Sequence, residues 1–232
     1  MTRELKVNYI PLMDYSEAWE QQKQLVKEVG REEQQEHLLL LQHPPTYTIG
    51  SQRHPEHLLL SPEELKKQGI SVFEIDRGGD ITYHGPGQLV GYPIIWLDGA
   101  KGLDLRGYLR DLEQVVINYL AVHGVEAGRK EGLTGVWVGD RKICAIGVKF
   151  NKCPHRRGFV ASHGFAFNIK AGIENEGFRG IIPCGIQDYG VTSLEACTGG
   201  TFEVGQVARE IVPLFAELFR FEPVWEEAGS LK

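Results

Sequence analysis

The chain has 232 residues, 42% of them hydrophobic, and a net charge of -6 from 25 Lys and Arg against 31 Asp and Glu. That length and that apolar fraction fit one globular domain and exclude a disordered, collagen-like or disulfide-stapled chain. The acidic balance argues against nucleic-acid binding, and no apolar run is long enough to span a membrane. Glycine stands out at 28 residues, 21 of them between Gly78 and Gly190, well above the usual ~7%.

The opening Met-Thr-Arg-Glu carries no cationic-then-apolar leader. Four cysteines, Cys144, Cys153, Cys184 and Cys197, form no CxxC pair, so free thiols in a reducing cytoplasm are expected. The charge is segregated. Between Arg141 and Ile173 there are seven basic residues and no acidic one, leaving -13 on the rest. Such a stretch suits an acidic protein partner or a phosphate group, or simply a solvated loop.

In chain order, Ala18, Trp19, Leu25, Val26 and Val29 recur at helical spacing over residues 14–30. Residues 37–43 (HLLLLQH) read as a buried strand stopped by Pro44 and Pro45. Ser61-Pro62-Glu63-Glu64 has the cap, the first-turn proline and the capping-box glutamate of a helix start. A strand over 71–76 leads into a glycine-rich turn. Residues 104–123 carry the clearest amphipathic stripe, through Leu105, Tyr108, Leu109, Leu112, Val115, Val116 and Tyr119. Residues 136–150 read as a hairpin about Gly139-Asp140, with Lys142, Cys144 and Ile146 sharing one side of its second strand. A strand is expected over 159–169 and a last helix over 202–219, with Pro213 as a local difficulty. With no repeat and no linker, this is one α/β (α+β) domain, residues 1–232, on a mixed sheet.

The turn RGGDITYHGPGQLVGYP, residues 77–93, is neither a P-loop nor a GxGxxG loop. Gly78-Gly79 and Gly85-Pro86-Gly87 instead describe a pocket wall made largely of backbone, with Arg77, Tyr83 and His84 between the bends. Cys184 sits between Pro183 and Gly185, on a turn where a thiol can be reached. A reactive thiol needs a cation or base beside it, and Lys142, Lys149, His84 and His163 are candidates that spacing alone does not separate. Cys144, Cys153, His155, His163 and Cys184 match no structural zinc spacing, so no metal is expected.

RGGDITYHGPGQLVGYP, GLTGVWVGDRKICAIGVKF, SHGFAFNI and IIPCGI, with HPPTYTIG at residues 43–50, together resemble the B-type lipoyl(octanoyl) transferases over about residues 5–220. The resemblance implies a mixed, largely antiparallel sheet packed by helices, similar to the catalytic domains of lipoate and biotin protein ligases. It implies octanoyl transfer from octanoyl-acyl carrier protein to a lysine of apo lipoyl domains, those of 2-oxoacid dehydrogenase complexes and the glycine cleavage H protein. It places the acyl-thioester on Cys184 and the family lysine on Lys142, with Lys149 second. Substrate binding falls on Arg77, Gly78, Gly79, Asp80, Ile81, Thr82, Tyr83 and His84, on Ala145, Ile146 and Gly147, and on Gly164, Phe165 and Ala166, with His163 preceding the last group. Backbone N–H groups near Gly147 and Gly185 are expected to hold the oxyanion. No cofactor, nucleic acid or membrane is implied, and a monomer is expected. The segment 148–162, with NKCPHRR, is longer than the family pattern and reads as a lengthened hairpin or a carrier-docking feature. The rival readings are an ATP-dependent lipoate ligase, a biotin ligase and an inactive module that binds lipoyl domains or carrier protein.

Overall fold

Strand β2 (Glu36–Leu41) explains the architecture through its apolar run. Leu38 and Leu40 enter one apolar cluster while Leu39 and Leu41 enter another, so both faces of the sheet are covered. A continuous run rather than an alternating one is what a strand buried on both faces requires. The computed structural model describes residues 3–32, 35–99, 104–183 and 189–226. Among these, a ten-stranded sheet runs in the order β13-β1-β2-β6-β11-β10-β9-β8, with β7 beside β11 and β12 beside β10.

Its members are β1 (Arg3–Ile10), β6 (Gln88–Ile94), β7 (Trp96–Asp98), β8 (Gly128–Lys130), β9 (Leu133–Val138), β10 (Arg141–Lys152), β11 (Gly158–Asn168), β12 (Gly190–Val191) and β13 (Phe221–Trp225). β1 pairs in parallel with β2 and β13, and β12 with β10; the other pairings are antiparallel. The mixed, largely antiparallel sheet is therefore as expected. One face is covered by α3 (Leu105–Val122) and α6 (Val204–Phe219), whose buried stripes meet Leu89, Phe165 and Phe167. Pro213 is accommodated inside α6 without ending it.

The other face carries α1 (Tyr15–Gly30), which packs Ala18, Leu25 and Val29 against Val90, Ile94 and Ala166. Beside α1 lies a second sheet, β4-β3-β5, from β3 (Thr46–Ile49), β4 (Ser71–Glu74) and β5 (Ile81–His84). A short helix α2 (Pro62–Gln68) joins it. Its Ser61 cap accepts from Glu64 N–H while the Glu64 carboxylate accepts from Ser61 N–H, and Gly69 closes the helix at φ 66°. The start matches the sequence signature, and the left-handed glycine at the end is an ordinary helix stop. The remaining short helices are α4 (Ile173–Glu176) and α5 (Leu194–Thr198).

The lengthened segment is a hairpin. β10 runs on to Lys152, and β11 starts at Gly158. Its tip is fastened by Arg156, which donates to Val29 O at 2.6 Å and lies 4.0 Å over the Trp96 ring. No helix among the described residues is long and apolar enough to cross a membrane.

Candidate functional site

The expected grouping of Lys142, Cys144 and Ile146 on one side of β10 fails, and the failure makes the site. Against β9, Lys142 pairs with Trp137 but Cys144 pairs with Val136, so one extra residue is inserted in β10. A bulge of this kind re-aims the side chains around it. Ile143 and Cys144 both turn into the α3/α6 core, fully buried. Lys142 turns to the other face, with Ala145 and Gly147.

There, a cavity of about 240 Å³ lies between the large sheet, the small sheet and the start of α1. It runs along β10 from Lys142 to Gly147, about 16 Å at ~3.3 Å per residue. Of the expected substrate-binding residues, Arg77, Gly79, Asp80, Thr82 and His84 line it from one side. Ala145, Ile146, Gly147, His163, Gly164, Phe165 and Ala166 line it from the other. Three expected residues do not. Strand alternation in β5 sends Ile81 and Tyr83 into the apolar cluster under the small sheet, and Gly78 is used through its backbone, donating to Val148 O at 2.9 Å. Gly147 meets the same crossing: a Cβ there would stand 2.8 Å from Gly78 O, so a side chain would push the 77–79 turn off β10.

Tyr15, Gln52, Val90, Tyr92, Gly132, Leu133 and Thr134 also line the cavity. Val90, Tyr92 and 132–134 belong to the motifs already quoted, without an assigned role. Tyr15 and Gln52 reach it from α1 and from the turn after β3, and nothing local in the sequence marks them.

His84, His163 and Lys149 are each bonded to other side chains. His84 is fully buried in a polar chain. Arg77 donates to Thr48 Oγ1 at 2.9 Å, Thr48 donates to His84 Nε2 at 3.2 Å, and His84 Nδ1–H donates to Gln88 Oε1 at 2.9 Å. Gln88 donates onward to Asn168, which donates to Thr192 O. Burial, with His43 and Arg77 nearby, holds His84 neutral, its pKa well below the ordinary value. His163, held at φ 56° with its N–H donating to Gln22 Oε1, places Nε2 at 2.9 Å from Asp76 Oδ1. Burial lowers the His163 pKa against the pull of Asp76. Lys149 donates to the same Asp76 at 2.5 Å and lines a separate surface cavity. The bonds from His163 and Lys149 hold the Asp76 carboxyl far below its ordinary range.

Lys142 differs. Its Nζ lies 4.8 Å from the centroid of the Trp137 ring. It also lines a second, small cavity of about 20 Å³ with Thr82, Ala145 and Ala166, which line the first as well. Pro183 and Tyr189 close that small cavity. They flank the segment 184–188; Cys184 and Gly185 lie outside the described residues. The described cysteines are free and line neither cavity, and burial pushes the Cys144 and Cys153 thiols up. Of the five residues whose spacing matched no zinc pattern, Cys144, Cys153 and His163 lie in different packing environments, and Cys184 lies outside the described residues.

An elongated, partly apolar cavity on a mixed sheet, with a buried lysine at one end, defines a domain built around one small-molecule pocket. Residues 14–216 match the family model of the lipoyl protein ligase A/B catalytic domain, and the chain belongs to that family. The chain is 50% identical over 216 residues to the octanoyltransferase of Rubrobacter xylanophilus, covering 92% of this chain and 93% of that one. It is 44% identical over 223 residues to the octanoyltransferase of Chloroflexus aurantiacus, covering 95% and 96%. In fold it is similar to the bipartite lipoate protein ligase of Thermoplasma acidophilum, with a TM-score of 0.69 at 18% identity over 98% of this chain and 88% of that one.

Proposed function

We propose that this chain transfers an octanoyl group from octanoyl-acyl carrier protein to the target lysine of apo lipoyl domains, through a thioester on Cys184. It is an acyltransferase of the lipoyl(octanoyl) transferase type, as its octanoyltransferase relatives support. The observation that carries the mechanism is that Lys142 and Pro183, the residue before Cys184, line one cavity that shares its walls with the long pocket.

Lys142 lowers the pKa of the Cys184 thiol by its charge. The thiolate attacks the thioester carbonyl, the bond to the carrier's thiol breaks, and the proton lost by Cys184 passes through Lys142 to that leaving sulfur. The target lysine then attacks the acyl-enzyme as a neutral amine. The bond to Cys184 breaks, an amide forms, and the amine's proton returns to the thiolate. The pocket from Ala145 to Phe165 houses the acyl tail, and Gly147 N–H supports the oxyanion. The thioester itself supplies the activation, so the reaction asks for no nucleotide. The acceptors are the lipoyl domains of 2-oxoacid dehydrogenase complexes and the glycine cleavage H protein; the lipoyl domain handled by the Thermoplasma ligase is of that kind. A monomer working in the cytoplasm is the matching reading.

Intact-mass measurement after mixing with octanoyl-acyl carrier protein tests this. One octanoyl adduct is expected on the parent and none on Cys184→Ala; an adduct that survives that substitution overturns the assignment.

A further inference from the structure

Beside the pocket, the turn His54-Pro55-Glu56-His57 gathers two imidazoles and a carboxylate whose potential ligand atoms lie within 4.8 Å of one another. Among the described residues no other trio of His, Cys, Asp or Glu is so placed. We propose that His54, Glu56 and His57 bind one borderline divalent transition-metal ion of the zinc type, oriented by Asp80.

The donor set is two imidazoles and one carboxylate, a combination that suits zinc and leaves a coordination position for water. Bonds of ~2.0–2.1 Å in a tetrahedron need ligand atoms roughly 3.3 Å apart. His54 Nδ1 and Glu56 Oε1 already stand 3.0 Å apart, and the His54 and His57 rings are 4.9 Å apart. His54 and Glu56 are exposed, so the remaining approach, at most about 1.5 Å, can be made by side-chain rotation at the surface.

The second observation is behind His57. Its Nδ1 is bonded to Asp80 Oδ2, which leaves Nε2 as the atom to ligate. A carboxylate on the far nitrogen fixes the tautomer and raises the basicity of a metal-bound histidine. Asp80 is almost wholly buried and lines the long pocket, and its other oxygen, Oδ1, has no hydrogen-bond partner among the described residues. The turn is also joined to the chain before Cys184. Ile182 N–H donates to His57 O at 2.8 Å, and Leu59 N–H donates to Gly180 O at 2.9 Å. An ion here therefore grips a turn that touches both the pocket wall and the segment leading to the proposed nucleophile.

The test uses the full chain stripped of metal with a chelator, then titrated with Co²⁺ in visible absorption and with Zn²⁺ in calorimetry. One ion per chain is expected, with no sulfur-to-cobalt charge-transfer band. His54→Ala and His57→Ala should each weaken binding at least tenfold, roughly as for loss of a ligand, and Asp80→Asn by about 10–100-fold. Cys184→Ser and Cys197→Ala should leave it unchanged. Absence of one-to-one uptake below millimolar concentration, or uptake that persists in the His54→Ala/His57→Ala double variant, overturns the site. Because the readout is binding, its failure leaves the acyl-transfer reading standing, and the reverse also holds.

Discussion

Lys142 is a buried cation, and what matters is which groups it faces. Trp137 lies beside it, and Pro183 shares its cavity, whereas Lys149 is bonded to Asp76 in a different one. Lys142→Ala should therefore cripple both half-reactions while the protein stays folded; a worse lesion from Lys149→Ala would reassign the amine. The same scale explains the buried histidines. His43 Nδ1–H donates to Met13 O, and Tyr92 OH donates to His43 Nε2, both at 2.7 Å, so the neutral ring is fully used. Burial takes its pKa from 6.5 down to about 4, and does the same for His37. A folded pKa below the unfolded one means stability present above pH ~6.5 that is lost as the pH falls toward 4. For each ring the loss is on the order of 3 kcal/mol, since one pKa unit is about 1.36 kcal/mol. Urea unfolding from pH 7 to pH 4 measures it, and a His43 ring resonance that titrates near 6.5 in the folded protein would contradict it.

At the scale of elements, the β10 bulge is the device that separates a pocket-lining face from a core face within a few residues. Its surroundings are held by Glu113 on α3, fully buried. Glu113 accepts from Gly135 N–H at 3.0 Å on one oxygen and from Arg110 and Arg129 on the other. Glu113→Ala should cost about 1–3 kcal/mol, because Gly135 N–H is left without a partner. It should also lower the acyl-enzyme rate, because a Cβ position at Gly135 lies only 3.4 Å from Lys142 Cε. Chemical denaturation and the first half-reaction read the two effects separately. The small sheet has its own support in α2. Removing the cap with Ser61→Ala should lose about 1 kcal/mol with little effect on turnover.

Over the whole molecule, the basic stretch from Arg141 does not fold into one patch. Lys142 enters the pocket, Lys149 is taken by Asp76, and Lys170 by Glu195 and Glu203. Arg156 clamps the hairpin to α1 and Trp96 and also pairs with Glu32. Arg141, Lys152 and Arg157 remain exposed. Arg156→Ala should thus cost stability, about 2 kcal/mol from a charge-assisted bond and a cation–π contact, and leave the salt dependence of carrier binding unchanged. Neutralising Arg141, Lys152 and Arg157 together should leave stability alone and flatten that salt dependence, the outcome that charge steering of the proposed carrier by these three residues requires. Stopped-flow association at two ionic strengths separates these outcomes.

By itself the sequence determined the elements whose signals are local. These are the stripes of α1, α3 and α6, the capped start of α2, the two-faced burial of β2, and the hairpin about Gly139-Asp140. It also carried the resemblance to the family, through glycine-rich motifs whose Gly78 and Gly147 lie where backbone approaches backbone. β1, β3 and β13 were not legible, nor were β5 and β6 inside the stretch read as a glycine-rich turn, since such strands gain their definition from partners far along the chain. Tertiary structure alone decided the chemistry of individual groups. The inserted residue in β10 depends on pairing with β9, so no periodicity within β10 could reveal that Lys142 and Cys144 part company. Whether His84 is a base or a structural link depends on Thr48 and Gln88. The role of His57 depends on Asp80, 23 residues away in sequence. Residue types and local spacing fix which chemistries are available; burial and partners contributed by other strands fix which group performs each one.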